Sequence, residues 1–543
     1  MKLFRICKPY LLSRKYTLGT FIVIFLVSTS ISILFPYLIG NFLDALIIDA
    51  NIAVIIRFCI IFGILSILQI LKNYITSVLQ MKIQIHMSYS MNMDIIKHIQ
   101  NLSLSYINKQ DTAYLSNRIY NDSSSVVRFC IGTLQSFLVN VVVLIVPFVI
   151  LLTMNWVIAV LMMLFLLIYV AIYKTFRKPL YNAGLKLKES HDYFFSKIVE
   201  QLKHIKLIKM NSIQFLFNRR MNEGYLSLQQ KAIHNQKLNY FYTSLGNCTS
   251  TLSQICLFII GGLLVIAGSF TIGMFTIFIS YFNMMLGACK YFFTLGAMYQ
   301  NAMAAHDRIQ EILENKTESQ GGSVIHSIDR IELDNVEFSY NACDSKKVIK
   351  GISASFVKGN IYGIVGENGT GKSTLINLLQ GMYIDEYKGV ISYNDIDIRD
   401  IDMVVARRNL IDYAEQEPQL VNDTIMFNIS FGDNLSDDVA QLINVLNMQD
   451  FISEHGLDYI LSEKTINTSG GEKQKIAILK ALCTSPELMV FDEPSSALDK
   501  SAAENFMGYL RQVKQDKIII IVTHDESVLA SCDYVLEMAT HIA

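Results

Sequence analysis

Charged residues are scarce in this 543-residue chain, at 17%, whereas 52% of its residues are hydrophobic. A water-soluble protein of this length could not bury that much apolar surface, so we expect part of the chain to lie in lipid. An excess of either charge sign is also missing, because the formal net charge is −1. A concentrated basic surface of the kind that binds nucleic acid is therefore not expected.

Cysteine pairs are missing as well: the nine cysteines are scattered, with no C-x-x-C spacing and no histidines placed beside them as ligands. They are predicted to be reduced thiols, not a disulfide framework or a zinc site. The basic N-terminal segment lacks an A-x-A-like cleavage site, and the apolar run after it is long enough to span a bilayer. This segment is predicted to be a short helix on the cytoplasmic membrane surface instead of a signal peptide.

Six apolar runs are each of a length that can cross a bilayer, which takes about 20 helical residues. They cover approximately residues 17–39, 52–78, 131–152, 157–173, 242–267 and 272–293. The runs predict an all-α polytopic membrane domain over residues 1–314. Lys290 lies near the inner end of the sixth run, where a charge either faces a wet cavity or extends to the membrane surface. The sequence leaves both open.

The segments that connect these runs differ in their content of Lys and Arg. Residues 40–51, 153–156 and 268–271 contain neither, whereas the remaining segments are rich in both. By the positive-inside rule, both termini are predicted to be cytoplasmic. The two long inner segments show amphipathic helical spacing, so they either extend the spans or dock their tips on a soluble domain and transmit movement to it. The presence of a soluble domain downstream favours docking.

A phosphate-binding motif lies in the C-terminal part of the chain. After a polar linker at residues 315–328, short β-branched runs alternate with helical segments, which predicts an α/β domain over residues 329–543. A G-x-x-x-x-G-K-S motif follows an apolar strand and opens a helix, as a P-loop requires. Backbone amides would wrap a phosphate, Lys372 would reach the β- and γ-phosphates of a nucleotide, and Ser373 would hold Mg²⁺. The motif consists of Gly366, Glu367, Asn368, Gly369, Thr370, Gly371, Lys372, Ser373 and Thr374.

Polar side chains also follow two other apolar strands of this domain. Asp492 and Glu493 end the run that begins at Leu488 and, by strand alternation, point to opposite sides. Asp492 suits the Mg²⁺ shell and Glu493 suits polarising the attacking water. His524 follows the run 518–522, and because strand ends converge in such sheets it could contact the γ-phosphate or that water. Composition alone does not support Gln416 as a further site residue.

Together these motifs resemble the ATP-binding cassette superfamily, and their order along the chain is the same. The run Thr468-Ser-Gly-Gly-Glu472 is similar to the family signature LSGGQ, with Thr for Leu and Glu for Gln. Ser469, Gly470 and Gly471 match, so we expect the signature to function. The resemblance covers the entire α/β domain. Residues 104–119 and 200–217 are similar to the cytoplasmic coupling segments of exporter-type half-transporters.

The resemblance also implies roles for individual residues. It implies that Tyr340 stacks on adenine, that Gln416 is a catalytic residue that senses Mg²⁺, and that His524 is the switch histidine. Residues 496–499, which end at Asp499, resemble the D-loop beside the nucleotide.

In exporter-type half-transporters each ATP lies between the P-loop of one cassette and the signature of another, so the resemblance implies a dimer that uses ATP and Mg²⁺. A homodimer is favoured because one chain carries a complete set of site residues, and a heterodimer stays open. The implied function is export of an amphipathic or hydrophobic molecule across a bacterial plasma membrane. Peptide is slightly favoured over lipid or drug as cargo. An importer with the exporter fold, and a membrane regulator or channel, are the alternatives.

Overall fold

The structure is a computed structural model, and it describes residues 2–12, 15–49, 51–110, 115–116, 118–318, 321–340, 347–433, 439–461 and 469–538. The chain forms two compact units. The first comprises Met1–Lys97 and Thr112–Glu314, and the second comprises His98–Asp111 and Asn315–Ala543. The second unit therefore contains a short stretch of the region that the sequence assigns to the membrane domain.

Long helices build the first unit. Nine helices precede the first strand in the described part of the chain: α1 (Lys2–Leu12), α2 (Lys15–Asp49), α3 (Ile52–Gln100), α4 (Leu104–Asn108), α5 (Ser123–Met154), α6 (Trp156–Lys203), α7 (Ile205–Met210), α8 (Gln214–Ile266) and α9 (Ile272–Leu313). Six of the helical segments are long and apolar enough to cross a membrane, and each contains one predicted span. The prediction of a polytopic all-α membrane domain is confirmed.

Helix α9 lies at the centre of the first unit. It packs on α2 and α5, and α6 packs along α8. Phe278 and Tyr281 of α9 are fully buried, and the Tyr281 hydroxyl donates a hydrogen bond to the Ile33 carbonyl (2.8 Å). Asp122, in a π-helical turn before α5, is buried and accepts two hydrogen bonds from Arg308 near the end of α9. Apolar contacts in the spans are thus supplemented by an ion pair at one end of the unit.

Two sheets form the second unit. Its strands are β1 (Arg330–Phe338), β2 (Ile349–Val357), β3 (Asn360–Val365), β4 (Tyr387–Tyr393), β5 (Ile396–Asp397), β6 (Ile411–Ala414), β7 (Leu488–Asp492), β8 (Ile518–Val522) and β9 (Tyr534–Glu537). The antiparallel sheet has the order β2-β1-β4-β5, and the parallel sheet has the order β6-β7-β8-β3-β9. The predicted α/β class is confirmed.

Helices cover the parallel sheet. They are α10 (Lys372–Leu379), α11 (Met403–Asn409), α12 (Ile425–Ser430), α13 (Val439–Val445), α14 (Gln449–His455), α15 (Gly470–Thr484), α16 (Lys500–Val513) and α17 (Glu526–Leu529). Every residue of β8 is buried, with Ile518 and Ile520 in one apolar cluster and Ile519 and Ile521 in the other. A continuous run of β-branched residues forms such a strand because both of its faces are covered.

The stretch around α4 packs within the second unit, against its α/β part. Leu104 contacts the apolar cluster that holds β1, β4 and α10, and Leu102 forms an isolated bridge with Thr317. The backbone N–H of Glu318 donates to the Asn101 carbonyl (2.7 Å). The tip of the first long inner segment is therefore docked on the α/β unit, which is one of the two arrangements that its sequence allowed.

Candidate nucleotide-binding site

Three adjacent strands end at the candidate site. Strand β3 pairs with β8, and β8 pairs with β7, all in parallel. The P-loop follows β3, and Asp492 is the last residue of β7. His524 follows β8, separated from it by Thr523. Because parallel strands point their carboxyl ends to the same edge of a sheet, residues far apart in the chain meet here.

The P-loop backbone adopts conformations that require glycine. Gly369 has φ +88° and Gly371 has φ +96°, which lie in the left-handed region that other residues rarely adopt. A Cβ on Gly371 would lie 2.8 Å from Ile349, and one on Gly366 would lie 2.7 Å from the Met538 carbonyl. Helix α10 begins directly after Gly371, so its free N–H groups and positive dipole end adjoin the loop.

The Lys372 ammonium connects the P-loop to the end of β8. Its Nζ donates to the carbonyl oxygens of Gly366 and Glu367, and it lies 3.1 Å from Nε2 of His524. The same Nε2 lies 3.6 Å from the Glu493 carboxylate. The structure thus brings together Lys372, His524 and Glu493, three residues that the sequence identified separately. Glu493 itself has φ +50°, a strained conformation for a residue with a side chain.

Asp492 lies on the other side of Lys372 and is buried. Its Oδ2 accepts hydrogen bonds from Ser373 Oγ (3.3 Å) and from the Tyr413 hydroxyl (3.1 Å). Burial raises the pKa of Asp492, while these two hydrogen bonds and the Lys372 charge oppose the rise. Burial and the nearby Asp492 likewise raise the pKa of Glu415. The hydroxyl of Ser373 and the carboxylate of Asp492 are oxygen ligands of the kind that Mg²⁺ prefers.

Tyr340 lies beside the P-loop, whereas Gln416 lies beside the signature residues. The Tyr340 hydroxyl is 2.8 Å from Thr374 Oγ1, and its exposed ring stands edge-on to Tyr383, so it borders the P-loop. Gln416 is exposed and lines a cavity of about 530 Å³ together with the signature residues Gly470 and Gly471. Within the described residues, no hydrogen bond joins Gln416 to the residues around Asp492.

The signature residues begin helix α15. Ser469 Oγ accepts from the Glu472 N–H (3.2 Å), and the Glu472 carboxylate accepts from the Ser469 N–H (2.6 Å), which is a capping box. Either Glu or Gln serves at this position, so Glu472 has a local structural role. Thr468 lies outside the described residues. Across the described chain, no hydrogen bond connects residues 469–471 with the P-loop.

Asp499 begins helix α16. Its carboxylate accepts from the Ala502 N–H (2.8 Å) and from Asn447 Nδ2 (3.3 Å). The hydrogen bond from the Ala502 backbone is the main reason that the pKa of Asp499 is lowered. Asp499 is thus the N-cap that fixes the start of α16. The helix therefore begins soon after Glu493 in the chain.

Two further residues support the site although the sequence analysis missed them. Tyr413 holds Asp492, as described above. Gln474, a buried residue of α15, donates to the backbone carbonyls of Asp492 (3.3 Å) and Glu493 (3.0 Å) and accepts from Ser496 Oγ (2.8 Å). A signal was present for Gln474, because a buried amide within an amphipathic helix requires polar partners.

Fold and site together define the class of the protein: a P-loop ATPase unit in one chain with six helices that can cross a membrane. The family described as "ABC transporter transmembrane region" matches residues 18–289, and the family described as "ABC transporter" matches residues 349–496. The chain belongs to the ABC transporter family and is a multi-pass membrane protein whose ATPase is coupled to transport.

Its relatives include a "Lactococcin-G-processing and transport ATP-binding protein LagD" from Lactococcus lactis, which is 27% identical over 86% of this chain and 67% of its own length. A "Putative export ATP-binding/permease protein" from Rickettsia bellii is 26% identical over 95% of this chain and 90% of its own length. A bacterial Atm1-family ABC exporter solved with ATP bound has a TM-score of 0.83 at 19% identity, covering 96% of this chain and 94% of its own. At that identity the likeness shows a shared fold.

Proposed function

We propose that this chain is one half of an ATP-hydrolysing exporter that moves an amphipathic or hydrophobic molecule out of the cytoplasm by alternating access. The observation that carries the proposal is the contact series from Lys372 through His524 to Glu493 at three adjacent strand ends. The same chain holds six membrane-capable helices. The bacterial plasma membrane is the proposed location, and the distribution of Lys and Arg supports cytoplasmic termini.

In this proposal the P-loop and Tyr340 hold the nucleotide. Left-handed glycines let backbone N–H groups surround the phosphates, and the N-terminus of α10 adds the favourable end of its dipole. Lys372 exchanges its present carbonyl partners for phosphate oxygens. The proposed ATP-binding residues are Tyr340, Gly366, Glu367, Asn368, Gly369, Thr370, Gly371, Lys372, Ser373, Thr374, Ser469, Gly470, Gly471 and Asp499.

Ser373 and Asp492 would hold Mg²⁺, because their oxygens already lie 3.3 Å apart and Asp492 is fixed by Tyr413. When bound, the ion would neutralise charge on the β- and γ-phosphates. Gln416 is the third proposed ligand. This role is supported by the match of Gln416 to the family motif. Its side chain is exposed and forms no hydrogen bond with Asp492 among the described residues.

Glu493 is proposed to polarise the attacking water, and His524 to hold Glu493 and the γ-phosphate in position. The fixed backbone supports this role, since Gln474 bonds to the Glu493 carbonyl and His524 lies between the Glu493 carboxylate and Lys372. A base must lie within reach of the proton that it accepts. Glu493 and His524 lie at the strand ends beside Lys372, where the phosphates are proposed to bind.

The signature residues Ser469–Gly471 are proposed to bind the nucleotide of a second chain. Their helix presents its N-terminus without a hydrogen bond to the P-loop of its own chain, among the residues described. A homodimer is favoured because each chain supplies a complete set of site residues, and a partner of different sequence is the alternative.

Export of a peptide is slightly favoured over export of a lipid or drug. The support is the name of the Lactococcus lactis relative, which says that it processes and transports lactococcin G, and the names of the Rickettsia proteins, which say export. An importer with this fold, and a membrane regulator or channel, are the other candidate functions.

Replacing Glu493 by Gln tests the ATPase. We expect Glu493→Gln to bind ATP as the native protein does but to hydrolyse it at least about 10²-fold more slowly, the scale of general-base loss. Phosphate release and nucleotide binding are measured on the full protein in proteoliposomes. Glu526→Gln, which changes an exposed carboxylate at the start of α17, is the matched control and should hydrolyse ATP normally. Near-normal hydrolysis by Glu493→Gln would remove Glu493 from this role.

Transport direction is measured with inside-out vesicles. ATP added outside them reaches the nucleotide sites, so an exporter should accumulate labelled cargo in the lumen, and Glu493→Gln should not. Peptide, lipid and drug probes are compared in the same vesicles. ATP-driven loss of cargo from preloaded vesicles would identify an importer, and ATP hydrolysis without flux of any probe would favour a regulator or channel.

A further inference from the structure

A cavity of about 820 Å³ lies in the first unit between α6, α8 and α9. This volume is in the range of small-molecule binding sites. Its walls come from Tyr173 to Lys188 of α6, Asn239 and Tyr242 of α8, and Phe293 to Ala304 of α9. On α6 the lining residues 173, 177, 181, 184 and 188 recur every three or four positions, so they form one stripe along the helix.

One end of the cavity is aromatic. Tyr173 stacks on Phe293 with ring centroids 4.0 Å apart and an interplanar angle of 10°. The Tyr173 hydroxyl donates to the Phe293 carbonyl (3.0 Å), which fixes the ring. Tyr242 lines the same end from α8. Rigid rings of this kind offer an apolar surface with little loss of side-chain entropy on binding.

Cationic side chains line the cavity beyond these rings. Arg177, Lys178 and Lys188 line the cavity and are exposed, and none of them forms an ion pair or hydrogen bond with another described residue. Asn239, Gln300 and Asn301 add amide donors, and none of the described lining residues is acidic. Three cations that form no ion pair with another described residue, in a cavity without a described acidic lining residue, favour an anion. Arg177 can also bind a carboxylate or phosphate through two parallel hydrogen bonds.

Anchoring to lipid headgroups is the competing explanation for cations near the end of a span. Lys174 belongs to the same basic cluster but does not line the cavity. Lys188 lines it and lies 15 residues beyond Tyr173, which is about 22 Å along a helix. Membrane anchoring does not explain why Lys188, so far along α6, still lines the cavity. Lys174 and Lys186 do not line it, so cations that line the cavity and cations that do not can be tested separately.

We propose that this cavity is the cargo site and that it takes an amphipathic molecule with an anionic carboxylate or phosphate. The apolar part of the molecule lies against Tyr173, Phe293 and Tyr242, and the anionic group binds Arg177 and Lys188. This inference rests on the proposed export function and names the chemical class of its cargo. A lipid headgroup and a soluble peptide could both supply the anion.

Binding in the absence of nucleotide tests the inference independently of hydrolysis. The full protein is placed in nanodiscs of zwitterionic lipid and titrated with a dansyl-labelled peptide that carries phenylalanine and glutamate. Peptides with glutamine or lysine in place of glutamate are compared. We expect the glutamate peptide to bind about ten-fold more tightly than the glutamine peptide, since an unpaired anion in a partly desolvated site gains strongly from a charged partner.

Arg177→Gln combined with Lys188→Gln should remove this preference, whereas Lys174→Gln, the matched control on the same helix, should retain it. An unchanged melting temperature and size-exclusion profile show that each variant is folded. Equal affinity for the three peptides, or a preference that survives in the double variant, would overturn the inference. Loss of ATP-driven flux with the charge preference intact would instead contradict the export function.

Nanodiscs that contain phosphatidylglycerol distinguish the two sources of the anion. If a lipid headgroup occupies the site, the anionic lipid weakens binding of the glutamate peptide in the native protein but not in the double variant. If the cargo is a soluble molecule, the anionic lipid changes binding of the glutamate peptide to the same extent in the native protein and in the double variant, because only the surface charge of the bilayer then acts. Either result supports an anion site, and they assign it to different cargo.

Discussion

At the scale of single residues, Asp492 combines a functional position with a cost in stability. Its carboxylate is buried, and burial raises its pKa because the charged form is poorly solvated. The hydroxyls of Ser373 and Tyr413 offset part of this cost. A carboxyl group whose pKa is raised in the folded state destabilises that state at high pH, where the group is charged. The destabilisation disappears as the pH falls and the group is protonated. Under the proposed function, the same charge that lowers the stability of the fold is the one that would bind Mg²⁺.

Asp492→Asn should raise the melting temperature of the nucleotide-free protein at pH 8, because the amide mimics the neutral acid. The gain should shrink as the pH falls through the raised pKa, where native Asp492 is itself protonated. MgATP should stabilise the native protein but not the variant. Differential scanning calorimetry of the full protein at several pH values measures both effects.

Asp412→Asn is the contrasting control. Asp412 is also buried, on the adjacent strand β6, but it pairs with Lys480 (3.0 Å) and Thr484 (2.8 Å). Removing its charge leaves Lys480 without its partner, so this variant should melt at a lower temperature. If Asp492→Asn is destabilised as well, the account of Asp492 as a costly buried charge is wrong.

Sequence patterns were sufficient to predict that Lys372, Asp492, Glu493 and His524 lie close together. Each belongs to a segment at the end of an apolar strand, and the ends of parallel strands converge. Their roles stay predictions. The role of Tyr413 could not be predicted, because it depends on a hydrogen bond to Asp492, which is 79 residues away in the chain. The exposed position of Gln416 beside the signature also depends on a loop conformation that the sequence does not encode locally.

At the scale of elements, the segment before β1 is held by an ion pair. Glu318 and Arg407 of α11 form two hydrogen bonds of 2.8 Å each. Arg407 also donates to the Gly381 carbonyl (3.1 Å), just beyond the P-loop helix α10. The Glu318 N–H bonds to the Asn101 carbonyl near α4. The pair of Glu318 and Arg407 thus connects the α4 stretch, through Asn101, to the end of the P-loop helix at Gly381.

A double-mutant cycle of Glu318→Gln and Arg407→Gln should give a coupling free energy of about 1–2 kcal/mol, as expected for a partly buried bidentate pair in one network. Chemical denaturation of the full protein measures it. Arg408 and Asp433, which lie 3.5 Å apart and are both exposed, supply the control cycle and should show no measurable coupling. Equal coupling in the two cycles would contradict a special role for the Glu318 contact.

Hydropathy predicted the membrane spans, and the amphipathic spacing of the inner segments predicted that the helices extend beyond them into the cytoplasm. The fourth span was expected at residues 157–173, whereas α6 continues from Trp156 to Lys203. The apolar run ends where lipid would end, but a helix continues for as long as its amphipathic spacing does. Docking of the α4 tip was favoured by the soluble domain downstream, but the local pattern did not decide it, since Leu104 is apolar in either arrangement.

At the scale of the whole molecule, one chain holds one P-loop and one signature. Under the proposed function, each nucleotide requires both, so a second chain must supply the missing half. The capping box at Ser469 forms the start of α15 within one chain. The surface that would meet the partner is therefore organised before the two chains associate.

Cysteines introduced at Ser469 in one chain and at Ser373 in another should form a covalent dimer in a background without the nine native cysteines, because both residues would contact the same nucleotide. Differently tagged chains are co-expressed, oxidised with and without ATP, and separated by electrophoresis. Cysteine at Ser527, on exposed α17, replaces the Ser373 cysteine in the control and should not cross-link. Absence of a covalent dimer that carries both tags, with and without ATP, would exclude the head-to-tail dimer.

The length of α8 has a mechanical consequence. Its 53 residues contain no proline and extend about 80 Å, whereas the hydrocarbon core of a bilayer is about 30 Å thick. A helix rises 1.5 Å per residue, so this helix is long, and a tilt of about 5° would move its far end by about 7 Å. Its stiffness thus converts a small angular change at one end into a displacement larger than a water molecule at the other.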